Sequence, residues 1–187
     1  MKYLITGLGN PGSEYANTRH NAGYMIADAL AKEAECCFSP GRYANIASFS
    51  LKRHKIILIK PTTYMNLSGK AVRYWLQKET IDLKNLLVIV DDIALPLGKL
   101  RLKSSGSDGG HNGLIDITEL LNSKDFPRLR IGIGNDFYKG EQAAYVLSNF
   151  KDEELPVFNK IIPFAVETVK SFILSGIERT MNFYNKK

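Results

Sequence analysis

Stretches of apolar residues with the spacing of β-strands alternate along this chain with stretches whose apolar residues recur every three or four positions. The first pattern predicts strands and the second predicts amphipathic helices. The predicted strands are residues 3–8, 43–51, 55–60, 86–90, 97–103 and 128–134. The predicted helices are approximately residues 21–35, 68–79, 112–121, 140–147, 152–174 and 178–185. Such an alternation is typical of an α/β fold.

One pair of predicted strands is joined too closely to enclose a helix. Only a short basic link through Arg53 and His54 separates residues 43–51 from residues 55–60, which predicts an antiparallel hairpin and an exposed His54. The sheet is therefore expected to be mixed. The sequence has no repeat, low-complexity tract or linker, so we expect a single domain over residues 1–187.

The composition is that of an ordinary globular domain, with 44% hydrophobic and 24% charged residues. No apolar run approaches the roughly 20 residues needed to span a bilayer, and the N-terminal run is too short for a signal peptide. Cys36 and Cys37 are adjacent, and neighbouring cysteines rarely form a disulfide with each other. No C-x-x-C pair or His/Cys cluster suggests a metal. We expect a cytoplasmic protein with no membrane segment, metal or cofactor.

Positive charge is in excess, and part of it is concentrated in one predicted strand. The formal net charge is +6 and the pI is about 9.2, values that suit either a polyanionic partner or simple solubility. Lys99, Arg101 and Lys103 alternate with Leu100 and Leu102, so in a strand the three cations share one face. This basic stripe adjoins a glycine-rich loop. It indicates either a phosphate-binding surface or a strand edge protected by charge.

Residues 7–12 spell G-x-G-x-x-G behind the first predicted strand, as in a dinucleotide-binding loop. Such a loop should open directly into an apolar helix, with an acidic residue at the end of the next strand. Here polar residues follow until about Ala22, and the acidic candidate Asp28 lies inside a helical pattern. We therefore expect the glycines to form a tight turn that presents Asn10 and leads to His20.

Polar residues collect where the predicted strands end. Residues 86–90 are followed by Asp91 and Asp92, residues 55–60 by a polar segment ending in Asn66, and residues 3–8 by Asn10. Because α/β sheets place ligand sites at the carboxyl ends of their strands, we expect these groups to meet in one cleft, together with His111 and Asn112 from a glycine-rich loop. Side chains alternate along a strand, so only one of the two aspartates can point into it. The alternation does not say which.

The expected cleft suits hydrolysis by water. His20 would be a general base if a carboxylate at a strand end orients its ring, although a lone histidine is more often structural. His111 suits a capping role or a substrate contact. No G-x-S-x-G elbow is present, and Cys36 and Cys37 lie in a surface-like stretch, which leaves water as the simplest nucleophile. Amide side chains would suit a peptide backbone or an oxyanion, with turn formation and capping as the alternative. The candidates are Asn10, Asn66 and Asn112.

Taken together, these blocks resemble the bacterial-type peptidyl-tRNA hydrolases, in order and in spacing, over nearly the whole chain. The matching segments are residues 7–12, Tyr15 with residues 18–23, residues 60–69, Asp91-Asp92, Leu95-Pro96 with Gly98, residues 109–114, 128–134 and 145–148. The resemblance implies an α/β fold in which a single-domain twisted mixed β-sheet is flanked by helices. It implies a monomer that needs no metal and cleaves the ester between peptide and tRNA.

The resemblance also implies roles for individual residues. The catalytic base falls on His20, its orienting carboxylate on Asp91, and a further catalytic position on Asn10. The expected substrate contacts are Tyr15, Tyr64, Met65, Asn66, Asn112 and His111. The expected tRNA contacts are Lys103, Arg101 and Arg130.

Some positions depart from the family pattern. Ala94 replaces a frequent aspartate, Ile115 replaces a usual Lys or Arg, and Asn135-Asp136 replace a basic or His residue and a proline. None of them is part of the proposed acid–base pair. Two alternatives stay open at this point: a non-catalytic RNA-binding protein on the same fold, and a nucleotide-dependent oxidoreductase supported only by the glycine motif.

Overall fold

The structure is a computed structural model that describes residues 1–186. Lys187, the last residue of the predicted domain, lies outside the described residues. The strands are β1 (Lys2–Gly7), β2 (Ser39–Gly41), β3 (Ala44–Leu51), β4 (His54–Pro61), β5 (Leu86–Asp92), β6 (Leu100–Lys103) and β7 (Arg128–Gly132). The helices are α1 (Ala22–Glu33), α2 (Ser68–Glu79), α3 (Asn112–Leu121), α4 (Gln142–Val146), α5 (Leu155–Ser175) and α6 (Ile177–Tyr184).

The strands form one seven-stranded sheet in the order β2-β3-β4-β1-β5-β7-β6. The four central strands β4, β1, β5 and β7 are parallel, whereas β2–β3, β3–β4 and β6–β7 are antiparallel pairs. The predictions of a mixed sheet and of a hairpin at residues 43–60 are therefore confirmed. In the part of the chain that the structure describes, no helix is long and apolar enough to cross a membrane.

Both faces of the sheet are covered, so the central strands are apolar on both sides. Leu87 and Ile89 of β5 pack into a core formed with α1 and α5. Leu86, Val88 and Val90, which alternate with them, pack into a second core formed with α2 and α3. This layering leaves the carboxyl ends of the parallel strands as the edge where polar groups can collect.

Three predictions differ from the structure. Residues 39–41 form the strand β2, which the apolar pattern missed because all three residues are exposed and only their pairing with β3 defines the strand. Residues 97–99 precede β6 rather than belonging to it. The exposed His54 is wrong: the ring is 7% exposed and packs edge-on against Tyr3, because the turn at Lys52 and Arg53 takes the solvent position.

The glycine motif does more than form a turn. Of its three glycines, Gly12 adopts a positive φ of 114°, which suits the turn predicted there. A Cβ on Gly7 would lie 2.3 Å from the carbonyl oxygen of Gly23, and one on Gly9 would lie 2.6 Å from the ring of Tyr24. These two glycines therefore let α1 approach the end of β1 closely.

Candidate active site

A cleft of about 630 Å³ opens at the carboxyl ends of the parallel strands. Because β4, β1, β5 and β7 are neighbours running in the same direction, the loops that follow them meet there. The cleft residues with chemistry of interest are Asn10, His20, Asp91, His111, Asn112 and Arg130.

His20 lies beside Asp91 at the base of the cleft. It belongs to the short 3₁₀ helix Arg19–Asn21, which leads directly into α1, and both side chains are buried. Its Nδ1 atom is 2.9 Å from Oδ2 and 3.1 Å from Oδ1 of Asp91. A carboxylate accepts hydrogen bonds, so Nδ1 carries the proton and Nε2 keeps a free lone pair.

A second histidine holds the same carboxylate. The Nε2 atom of His111 lies 2.9 Å from Oδ1 of Asp91. Its Nδ1 atom accepts from the backbone N–H groups of Gly113 and Leu114, at 3.2 and 3.4 Å, and so caps the N-terminus of α3. This capping fixes the tautomer, because a nitrogen that accepts two N–H groups cannot carry a hydrogen. His111 therefore donates from Nε2 to Asp91.

The electrostatic balance keeps Asp91 ionised. Burial alone would raise the pKa of its carboxyl, but the electrostatic attraction of the His111 and His20 rings and the hydrogen bonds from both outweigh burial and hold the pKa below its usual range. An ionised Asp91 stabilises a positive charge that develops on His20.

His20, Asp91 and His111 could also be considered as metal ligands, since one donor atom from each lies within 4.8 Å of the others. However, the ring-to-carboxylate distances of 2.9 Å are those of hydrogen bonds that use these atoms on one another. The remaining nitrogen of His111 faces backbone N–H groups. The arrangement is a hydrogen-bonded chain rather than a set of converging lone pairs.

Asn10 is clamped between two loops. Its backbone N–H donates to Oδ1 of Asn21 at 2.8 Å, and Nδ2 of Asn21 donates back to its carbonyl at 3.0 Å. Its own Oδ1 accepts from the backbone N–H of Met65 at 2.8 Å. This contact fixes the side-chain amide. Its Nδ2 group donates to no residue among 1–186 and is a fixed donor at the cleft wall.

The other predicted substrate contacts divide into two groups. Tyr64, Met65, Asn66 and Asn112 line the cleft, whereas Tyr15 does not. Neither exposed amide, Asn66 or Asn112, hydrogen-bonds to another described residue, and His111 rather than Asn112 caps α3. Both ring nitrogens of His111 contact the protein, so its predicted substrate contact stays a prediction.

Of the predicted tRNA contacts, only Arg130 lines the cleft. Its Nε atom forms an ion pair with Oδ2 of Asp92 at 2.8 Å. Since β6 runs antiparallel to β7, Arg101 lies opposite Arg130 and Lys103 lies opposite Arg128, further from the cleft. These cations share a face of the sheet because Leu102 and Leu129 between them are buried on the other face.

The sequence did not single out Arg19 or Asn21. The guanidinium of Arg19 is buried over the ring of Tyr145 and hydrogen-bonds to Ser148 Oγ and the Asn149 carbonyl, both at 2.6 Å, and to Glu154 at 2.5 Å. It thereby ties the backbone beside His20 to the segment between α4 and α5. The signals for both residues were their place beside a candidate histidine and inside the matching segment 18–23, neither of which indicated a role.

The side chains at the bottom of the cleft indicate what kind of chemistry it can support. An imidazole held by a carboxylate faces a fixed amide donor, and no Ser, Thr, Cys or Lys side chain lines the cleft within residues 1–186. An imidazole oriented by a carboxylate beside a fixed amide donor, at the carboxyl edge of an α/β sheet, is the arrangement expected of a hydrolytic enzyme.

Comparison with known proteins gives the family. The model of a family described as peptidyl-tRNA hydrolase matches residues 4–187, and the chain belongs to this family. The peptidyl-tRNA hydrolase of Phocaeicola vulgatus is 58% identical over 187 residues, covering 100% of both chains, and that of Bacteroides fragilis is 55% identical with the same coverage. The crystal structure of peptidyl-tRNA hydrolase from Acinetobacter baumannii has a TM-score of 0.93 and 35% identity, and the match covers 98% of this chain and 94% of that one.

Proposed function

We propose that this chain hydrolyses the ester bond between peptide and tRNA in peptidyl-tRNA, with His20 as the base that activates water. One observation carries the assignment of the base: Nδ1 of His20 lies 2.9 Å from a buried carboxylate, which leaves Nε2 free at the cleft. Family membership supports the substrate. The alternative of a non-catalytic RNA-binding protein is not favoured, because RNA binding alone does not require a hydrogen bond between His20 and Asp91.

In the proposed reaction, a water molecule between His20 and the ester transfers a proton to Nε2 while its oxygen bonds to the carbonyl carbon. Asp91 stabilises the resulting imidazolium without taking its proton. The carbon–oxygen bond to the ribose then breaks, and the departing ribose oxygen takes the proton back from Nε2. The products are a peptide with a free carboxylic acid, which releases its proton to solvent, and a tRNA with a free hydroxyl.

The amide groups would act on the carbonyl and on the peptide. The Nδ2 group of Asn10 is proposed to donate to the oxyanion, because it is fixed before substrate arrives and has no competing acceptor in the described chain. Asn66 and Asn112 are proposed to bind the peptide backbone, with Tyr64 and Met65 forming the groove wall. Tyr15 would contact substrate only outside the cleft described above.

The sheet order supports a proposal of where the two halves of the substrate bind. Tyr64, Met65 and Asn66 follow β4 on one side of β1 and β5, whereas Arg130 and the cations of β6 lie on the other side. We place the peptide on the first side and the RNA on the second, against Arg130, Arg101 and Lys103. We further propose a single catalytic domain over residues 1–187 that acts as a monomer in the cytoplasm, where tRNA is used.

The direct test is turnover of a purified peptidyl-tRNA by wild type and His20→Ala. We expect kcat/KM to fall at least about 10²-fold, the lower range for loss of a general base. The variant should still fold and bind tRNA with an affinity close to wild type, but it should melt at a lower temperature, because the buried Asp91 loses one of its two ring partners. Undiminished turnover by the variant would overturn the mechanism.

A further inference from the structure

Asp92 follows Asp91 directly but serves a different partner. Both aspartates line the cleft, so the prediction that only one of them could do so is wrong, but their carboxylates have different partners. Asp91 holds His20 and His111, whereas Oδ2 of Asp92 lies 2.8 Å from Nε of Arg130. Oδ1 of Asp92 accepts the backbone N–H of Ala94 at 2.9 Å, so the carboxylate is itself fixed by the turn after β5.

Arg130 needs such a partner because its surroundings are cationic. Arg101 lies directly opposite on β6, and Arg128 shares the same face of β7. Like charges in opposite positions on neighbouring strands repel one another. The effect is visible at Arg128, where burial lowers the pKa of the guanidinium and the charge of Arg130 lowers it further. Among the described residues, Asp92 is the carboxylate that forms an ion pair with Arg130.

The ion pair also bears on where the guanidinium lies, through charge attraction alone, since Oδ2 of Asp92 has no hydrogen-bond partner among the described residues. Asp92 contacts Arg130 through Nε, on the inner side of the group. The outer Nη2 atom lies 3.8 Å from the position that a Cβ on Gly109 would take, in the glycine-rich loop that lines the cleft. Because Asp92 lies at Nε, both Nη groups stay available for a phosphate, which accepts such donors in pairs.

We propose that Asp92 is a positioning residue for RNA binding: it holds Arg130 against the repulsion of its neighbours so that the Nη groups face the substrate. The proposal rests on the function proposed above, in which Arg130 contacts RNA. The two consecutive aspartates then have different roles: Asp91 acts on the chemical step and Asp92 acts on the binding of tRNA.

The sign of the effect distinguishes this role from simple electrostatics. A carboxylate beside an RNA site repels phosphates, so a bystander would weaken binding and its neutralisation would tighten binding. A positioning carboxylate has the opposite effect, because its removal releases Arg130. Asp92→Asn is a suitable variant, since the asparagine oxygen can still accept the N–H of Ala94 and preserve the turn.

The experiment measures kcat and KM for Asp92→Asn, Asp92→Glu, Arg130→Ala and the Asp92→Asn/Arg130→Ala double variant on two substrates. One substrate is peptidyl-tRNA, and the other is a short peptidyl ester of adenosine without the tRNA body. Asp136→Asn is the control for loss of one negative charge, because Asp136 is exposed and pairs with Lys151.

For Asp92→Asn we expect KM for peptidyl-tRNA to rise roughly three- to tenfold, the range of one lost charge-assisted contact, with kcat within about twofold. Asp92→Asn should cleave the short ester as wild type does, Asp92→Glu should recover much of the affinity, and the double variant should have a KM no higher than that of Arg130→Ala.

An unchanged or lowered KM for Asp92→Asn, or equal loss on both substrates, would overturn the proposal while leaving the hydrolase function intact. If wild type cleaves neither substrate, the proposed function itself fails and this inference falls with it.

Discussion

Asp91 accepts hydrogen bonds from His20 and His111 at once, so the orientation of the base depends on a group with two acceptor atoms and no hydrogen to donate. Asparagine has nearly the same shape but only one acceptor oxygen. In either orientation its NH₂ group would face a ring N–H and force one histidine to change its tautomer or its position.

Asp91→Asn should therefore lower kcat by at least about 10²-fold, with little change in KM, because the base loses its orientation and the imidazolium loses its charge partner. Asp92→Asn should have the opposite effect, with KM raised and kcat preserved. Steady-state kinetics on peptidyl-tRNA compare the two variants. A larger loss of kcat in Asp92→Asn than in Asp91→Asn would contradict the assignment of Asp91.

His111 allows stability and activity to be separated. Both alanine and asparagine at this position lose the hydrogen bond to Asp91, but asparagine can still cap α3. His111→Ala should lose about 1 kcal/mol of unfolding free energy, whereas His111→Asn should lose less. Both should have a lower kcat. Denaturant unfolding and turnover of the same samples test this, and full activity in the stable asparagine variant would show that Asp91 needs no second histidine.

At the scale of elements, the contact between α1 and β1 determines where His20 lies. The helix reaches the strand closely because Gly7 meets Gly23 without any side chain between them. His20 lies just before α1 and Asp91 lies one residue before the end of the neighbouring strand β5, so a shift of this helix changes their separation. The glycine motif, whose sequence resembles a dinucleotide-binding loop, thus allows close packing of α1, the helix that directly follows His20.

Gly7→Ala should affect activity beyond its effect on stability. The new Cβ would lie 2.3 Å from the Gly23 carbonyl and 2.8 Å from Cβ of Ala27, so α1 must move. Overpacking of this kind costs about 1–3 kcal/mol. Gly176→Ala is a matched control, because its positive φ of 83° strains an alanine in open space between α5 and α6. Both variants should melt at lower temperature, but only Gly7→Ala should lose turnover well below its melting temperature.

The hydrophobic pattern predicts elements well where burial alone defines them. The helices predicted at residues 68–79 and 112–121 have the observed bounds of α2 and α3, and the run at residues 86–90 lies within β5. It fails for β2, whose exposed residues are a strand only through pairing with β3. Alternation separates Asp91 from Asp92, but the direction of each depends on His20 and Arg130, which reach β5 from distant parts of the chain.

At the scale of the whole molecule, positive charge extends from the cleft along one face of β6 and β7. Arg130 lies at the cleft, Arg101 lies opposite it, and Lys103 lies opposite Arg128 toward the start of β7. An RNA strand bound to all three would run along these strands and away from the ester. Affinity for tRNA should therefore depend on salt, through the release of counterions.

Lys103→Ala should weaken tRNA binding and reduce the slope of log affinity against log salt by about 1, while cleavage of a short peptidyl ester is largely retained. Lys32→Ala provides the control, since this exposed lysine lies on α1, which covers the opposite face of the sheet. Binding titrations at several salt concentrations measure both slopes. Equal slopes in the two variants would exclude Lys103 from the RNA surface.

The position of β7 has a consequence for how the molecule is made. β7 lies between β5 and β6 although it follows both in sequence, so within the described chain β6 has no neighbouring strand until residues 128–132 have been added. Arg130 arrives with that same strand, long after His20 and Asp91. Among the residues given a role in catalysis or binding, Arg130 is thus the last to be synthesised. Until then the growing chain, itself a peptide esterified to tRNA, lacks the surface proposed to bind such a molecule.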